Sequence, residues 1–519
     1  MRYEAEWGKS LANEVPLPRE ELREEEEVIM SDEGIGVVKS EEENCNKNSE
    51  REEPQERGEA NVPHASAGES SMTYTALIML SVGGYLLFSY VALTLGVFTK
   101  NGMYNLMGLL WVLASFLSLL SAAFLALRRR TSLPPPQGCF TGALLLFLGL
   151  GMLKMPGIYL QSQTYAVLSF YTSLLLIPVT ILFYVRPTPW KERVRSAAFF
   201  SMVIIASGLR VGMLSASPSP FIDVFTITQE SAAHLLMGLN PYTTPVSDVY
   251  HGITDFGFHA VGYHYPPASL YLLAMGYALL GDVRYISLLC EGVVAFVLWS
   301  VARRGSSRRV AELLVLLFLY HPRSLFILEQ GWTEPLILLF FSLFLLLRMQ
   351  GKHTLAAMAY GYFLSLKQYL VYFAVHWFMV ERRFHRLALG MVVAGLTVLP
   401  FLLLDARGFS DAAIASHLHA AFRADSLSLS AVLYRMFGWK LWALSGAVVG
   451  GIVAPVAFFL FRGLPGMRGY LFAVTTTTFA LFLFGNLAYA NYYYFVGGLL
   501  LFLLAVYSAH DASARTALG

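Results

Sequence analysis

Eight ionisable residues in this 519-residue chain stand where apolar runs end. Arg323, Glu329 and Glu334 fall in HPRSLFILEQGWTEP, Lys367 in SLKQY beside Gln368, and Arg423 and Asp425 in HLHAAFRADSLSLS. Asp223 and Glu230 belong to a long polar interval, residues 217–267, with Tyr242, His264 and Tyr265 further along it. Guanidinium groups grip a phosphate through paired hydrogen bonds, and an ammonium group holds it as a point charge. Ionisable groups at membrane depth are costly and usually face a cavity or pathway. Plainer readings stand beside this one. Asp223 also suits a helix N-cap, and Glu230, seven residues on, suits a solvated face. Tyr263, His264 and Tyr265 suit interface anchoring, and the three cations suit snorkelling to lipid headgroups. His417 and His419 read as surface histidines, because no Cys or carboxylate completes a metal spacing.

These residues need a scaffold, and composition says which kind. Hydrophobic residues make up 56% of the chain and charged ones 14%, with a mean hydropathy of +0.54, far from a soluble domain. Residues 1–71 hold 20 of the 35 acids and 8 of the 37 bases. That acidic tail, poor in aromatics, is read as disordered and cytoplasmic. The remainder carries 29 bases against 15 acids, mostly in short connectors, as in cytoplasmic loops beside anionic lipid. Three cysteines give neither a disulfide framework nor a metal spacing, and the acidic N-terminus reads as no signal peptide.

Near-spanning apolar runs follow at about 72–98, 104–127, 138–156, 164–185 and 196–216. Arg128 to Arg130, then Arg186, Lys191, Arg193 and Arg195, orient them by the positive-inside rule. The stretch 217–267, which has no Lys or Arg, then falls outside the membrane. Its Ile227, Ala233, Leu235 and Leu236 mark an amphipathic helix suited to the bilayer surface. The run 266–281 is short and is read as half-buried or re-entrant, giving one net crossing before Arg303 and Arg304. Later runs at 310–328, 333–349, 354–366 and 369–380 include several too short to span alone, as around a cavity. A second outer loop covers 405–439. The expected fold is all-α: a polytopic transmembrane helical bundle of about 12–14 membrane segments. It divides into the tail (1–71), an N-terminal four-helix segment (72–195) and a main membrane domain (196–519).

Motif order adds a resemblance. An Asp just outside a membrane helix is followed by Ala232, Ala233, Leu236, Gly238, Asn240, Pro241 and Tyr242, then by Tyr263 to Pro267. A Pro, a short outer turn and Gly-x-x-Glu come next as Pro322 to Glu334, then a helix ending in Lys367. This pattern, over about 196–440, resembles the C-type integral-membrane glycosyltransferases. It is most similar to those that use polyprenyl-phosphate mannose, and more loosely to the mannosyltransferases of GPI assembly. The resemblance implies inverting transfer of a sugar, mannose, from a polyprenyl-phosphate carrier to a hydroxyl of a glycan or glycolipid. Asp223 would act as general base. Glu230, Tyr242, His264, Tyr265, Arg323, Glu329, Glu334, Lys367, Gln368, Arg423 and Asp425 would form the binding set. The partners implied are the lipid-linked donor, the acceptor and membrane lipids, with no nucleic acid. Phe221 and Phe225 stand where a second Asp could sit, so no cofactor is expected and metal dependence is open. The expected location is the cell membrane, multi-pass, with the site on the extracytoplasmic face. A transporter or lipid-linked-sugar flippase shares the scaffold and is the alternative.

Overall fold

The computed structural model describes residues 81–128, 135–185, 192–249, 262–442 and 444–515. The acidic tail, the start of the first run and several orienting cations (Arg129, Arg130, Arg186 and Lys191) lie outside the described residues. The described chain is helical throughout, as read from the sequence. In order come α1 (Val82–Thr99), α2 (Leu106–Leu127), α3 (Gln137–Leu153) and α4 (Gln163–Thr180), the last continued by a π-helical turn, Ile181–Val185. Then come α5 (Glu192–Ala216), α6 (Asp223–Leu236), α7 (Pro267–Leu280), α8 (Tyr285–Ala302), α9 (Arg308–Leu319) and α10 (Ser324–Glu329). The chain continues with α11 (Glu334–Met349), α12 (His353–Leu364), α13 (Val371–Val380) and α14 (Phe384–Ser410). It closes with α15 (Leu429–Phe437), α16 (Ser445–Phe461), α17 (Met467–Leu483) and α18 (Ala490–Arg515). Among the described residues, seven helical stretches are long and apolar enough to cross a membrane. They are α1, α2, α4 with its π turn, α5, α8, α14 with the turns after it, and α18 as far as Tyr507. Shorter apolar helices, α3, α7, α16 and α17 among them, complete the bundle.

Small residues let helices approach where lipid gives no hydrophobic drive. A Cβ at Gly361 of α12 would lie 2.0 Å from the Gly390 carbonyl of α14, so backbone meets backbone there. Buried polar groups tie other helices. The Arg210 guanidinium of α5 donates to Glu291 of α8 at 2.5 Å and to the Leu319 carbonyl of α9 at 2.8 Å. Tyr494 of α18 donates to the same Glu291 carboxylate at 2.7 Å. Arg210, which interrupts an apolar run in the sequence, is thus paired on four helices. The first four helices share this core: the Tyr90 hydroxyl of α1 donates to the Leu317 carbonyl of α9.

Two polar ends emerge. At one, Glu312 of α9 accepts from Arg308 (2.9 Å), Arg195 (3.3 Å) and Tyr184 (3.2 Å), and Arg304 donates to the Met349 carbonyl. At the other, Arg284 donates to the carbonyls of Glu329 and Ser217. The 18 residues of α8 separate Arg284 from Arg303, which is ~27 Å of helix. Arg195, Arg304 and Arg308, from connectors read as cytoplasmic, therefore gather at one end, and the candidate site residues lie towards the other.

The short run 266–281 forms one 14-residue helix, α7. Pro267 starts α7, and Gly281 ends it in the left-handed region with φ 83°. Gln229 of α6 bonds the Gly281 carbonyl and the Val283 N–H. The Tyr263 N–H, just before α7, donates to the Pro241 carbonyl just after α6. The two helices form an antiparallel pair at the Arg284 end. The surface-lying reading of α6 needs one correction. Ile227 points inward, 6% exposed, because α6 packs on α7; the outward apolar residues are Leu236, Met237 and Leu239.

The Arg210–Glu291 pair gives a stability prediction. Glu291→Gln leaves a buried guanidinium without its counter-charge, which costs about 3–5 kcal/mol. A clearly lowered melting temperature in detergent is expected, and an unchanged one would show that the pair does not hold the four helices.

Candidate functional site

Lys367 lies in the break between α12 and α13, in extended backbone with φ −154° and ψ 148°. Chain reversal at that point drives its side chain into the bundle end. Its Nζ is 2.5 Å from Glu334 Oε1, and both residues are buried. Glu334 opens α11 after the left-handed Gly331, so the turn aims the carboxylate inward. Three rings surround the ammonium, with centroids 5.0 Å (Tyr265), 5.2 Å (Tyr492) and 5.9 Å (Tyr369) from Nζ. Gln368, the next residue, donates to the carbonyls of His264 at 2.6 Å and Ala413 at 2.9 Å. It thereby joins the stretch before α7 to the π-helical turn after α14.

Asp223 reaches the same cluster from α6. Extended Ile222 is the residue capping that helix, and Asp223 sits one position inside, its Oδ1 accepting the Val224 N–H at 2.8 Å. The N-cap reading was therefore one residue off. The Asp223 carboxylate lies within electrostatic reach of Tyr159, Tyr265 and Tyr492. Arg423 also reaches Tyr492. Its guanidinium forks onto Asp425, with 2.9 Å from Nε and 2.8 Å from Nη2. Tyr489 donates to the same carboxylate at 2.9 Å. Burial pushes the Asp425 carboxyl up, but these partners outweigh it and hold it below the usual range.

Other residues of the binding set serve the frame. Glu329 accepts the N–H groups of Ile158 and Tyr159, both at 2.7 Å, and the Ser217 hydroxyl at 3.1 Å. Arg323 stands on the same side and donates to the Met155 carbonyl at 2.7 Å. A Cβ on Gly157 would lie 2.3 Å from Glu329 Oε1, so only glycine fits this clamp. The clamp sews the α3–α4 connection to the end of α5, six residues before Asp223, and brings Tyr159 to the site. Glu230 accepts the Ser247 N–H at 2.7 Å and pins the stretch after α6 back onto that helix. Tyr242 is buried against Phe401 and Phe409, its hydroxyl donating to the Tyr265 carbonyl.

The histidines part company. His417 is half-buried rather than freely exposed: its ring lies 6.1 Å from Tyr265 and 6.5 Å from His264. His419 is exposed and turns back to the Ala415 carbonyl. Among the described residues no group of three or more His, Cys, Asp or Glu side chains is placed to hold a metal. Sequence reasoning missed Tyr159, Tyr369, Tyr489 and Tyr492. In a chain with 28 tyrosines nothing local marks Tyr159, Tyr489 or Tyr492, whereas Tyr369 closes the SLKQY motif.

His264 supplies a pH prediction. Burial lowers its pKa from the ordinary 6.5 to about 4, against a backbone hydrogen bond with Ala412 that raises it. A depressed imidazole means that the folded state binds fewer protons than the unfolded one between those values. The stabilisation is full above pH 6.5 and is lost as pH falls towards 4. At pH 5 the loss amounts to about 2 kcal/mol. Comparing melting at pH 7 and pH 5, the wild type should lose more stability than His264→Asn. Equal losses would show that His264 does not titrate this way.

Residues 263–485 match the model of glycosyltransferase family 87. No curated protein matches the chain. The matched stretch runs from Tyr263 through Glu334, Lys367, Arg423 and Asp425 to Gly485, whereas Asp223 and Tyr159 precede it. Over that stretch the chain is similar to glycosyltransferase family 87, and the likeness, on an all-helical bundle with seven candidate spans, supports an integral-membrane glycosyltransferase.

Proposed function

We propose that this protein transfers a sugar, mannose, from a polyprenyl-phosphate carrier to an acceptor hydroxyl, with inversion, at the outer face of the cell membrane. Asp223 is the general base, and Lys367 and Arg423 hold the phosphate leaving group. Arg323 and Glu329 position the α3–α4 connection, with its Tyr159, against the site. The acceptor oxygen attacks the anomeric carbon from the face opposite the phosphate. Asp223 takes its proton, the carbon–oxygen bond to phosphate breaks, and polyprenyl phosphate departs with that electron pair. A phosphate bound at Lys367 would compete with Glu334, so donor binding would loosen that ion pair. Residues 196–519 would form the catalytic unit, and 72–195 would supply the supporting helices.

The observation that carries this reading is the meeting of Asp223, the Lys367–Glu334 pair and Arg423 around Tyr265 and Tyr492. The family likeness favours covalent transfer over a transporter or flippase. Membranes holding the wild type should convert labelled polyprenyl-phosphate mannose to product, and Asp223→Asn should lower the rate by about 10²–10⁴-fold. Full activity in that variant would sink the assignment of the base. Movement of the labelled lipid across the bilayer without product would favour a flippase.

A further inference from the structure

At the end of the bundle away from Asp223, four helix ends converge on a cavity of about 420 Å³. They are the last turn of α11, the starts of α12 and α14, and the end of α13. Arg348, His353, Glu381, Arg382, Arg383 and Arg386 line it. Four arginines and one carboxylate line it, which leaves a surplus of three positive charges with His353 neutral. Glu381 is fully engaged. It accepts from Arg348 at 3.2 Å and Arg386 at 3.3 Å, and from the N–H groups of Arg382 at 3.1 Å and Arg383 at 3.0 Å. Burial raises its carboxyl pKa, but these donors and charges outweigh it and hold the group below its ordinary value. The Arg386 Nε is buried and has no hydrogen-bond partner among the described residues. Beside the cavity, Phe378, Phe384 and Met391 are 55%, 82% and 56% exposed. Apolar surface of that kind on α13 and α14 suits acyl chains rather than water.

We infer that this basic cavity is a phosphate-group site, shaped to take the headgroup of an anionic phospholipid while its chains lie along α13 and α14. A cavity with surplus cations at a membrane edge draws phosphate by charge, and arginine forks match its oxygens. The 16 residues of α11, ~24 Å of helix, separate this site from the Lys367–Glu334 pair, and it does not depend on the proposed transfer reaction.

The test uses the full chain, purified in detergent, stripped of lipid and examined by native mass spectrometry with added phosphatidylglycerol or phosphatidylcholine. Arg382→Gln/Arg383→Gln removes two exposed cations and spares the buried contacts of Arg348 and Arg386; an unchanged melting temperature confirms its fold. The wild type should retain phosphatidylglycerol and not phosphatidylcholine. The double variant should bind phosphatidylglycerol about 30-fold more weakly, as expected for two lost juxtamembrane cations. Inorganic phosphate that raises the melting temperature of the wild type only, without lipid retention, would support the phosphate site and assign its source to solution. Equal retention of both lipids by both proteins, with no response to phosphate, would overturn the site.

Discussion

The ion pair between Lys367 and Glu334, 2.5 Å apart and buried, is the constraint around which the polar end is built. Each ion taken from water costs several kcal/mol, and only close geometry with further partners offsets this. The ring faces of Tyr265, Tyr369 and Tyr492 give the ammonium part of that compensation. Because the pair must close, the break between α12 and α13 has to meet the start of α11. Tyr265, fixed before α7, and Tyr492, on α18, must pack over the contact. Asp223 then falls within electrostatic reach of Tyr265 and Tyr492, and Arg423 within reach of Tyr492.

A second constraint sets how this end is approached. Glu329 spends its carboxylate on backbone N–H groups of the α3–α4 connection. A loop that would otherwise be free is held against the end of α5, and the N-terminal helices become part of the site's wall. The pair α6 and α7 closes another side, pinned through Gln229 and Glu230. Four parts of the chain that are far apart in sequence thus share one polar end. The connectors rich in arginine gather at the other, around Glu312 and Glu381.

Much of this was legible in the sequence, for physical reasons. Helix positions follow from apolar runs and their punctuation: Pro267 and Gly281 bound α7, and the polar tip at Lys367 marks a broken helix. Motif order picked out Asp223, Tyr265, Glu334 and Lys367, which do come together. Contacts set by tertiary packing were not legible. Glu329, Glu230 and Tyr242 are chemically able residues, yet packing commits them to backbone and aromatic partners. His417 read as a surface residue because nothing local says that the turn after α14 folds it onto Tyr265. Tyr159 was hidden further still, since only the clamp at Glu329 brings it near Asp223.

The most direct test of the account is a structure of the protein with a polyprenyl-phosphate sugar bound in a lipid bilayer. The account predicts the phosphate between Lys367 and Arg423, with Glu334 displaced from Lys367 and the free face of the anomeric carbon turned towards Asp223. A phosphate bound elsewhere, with the Lys367–Glu334 pair intact and Asp223 remote from the sugar, would contradict it.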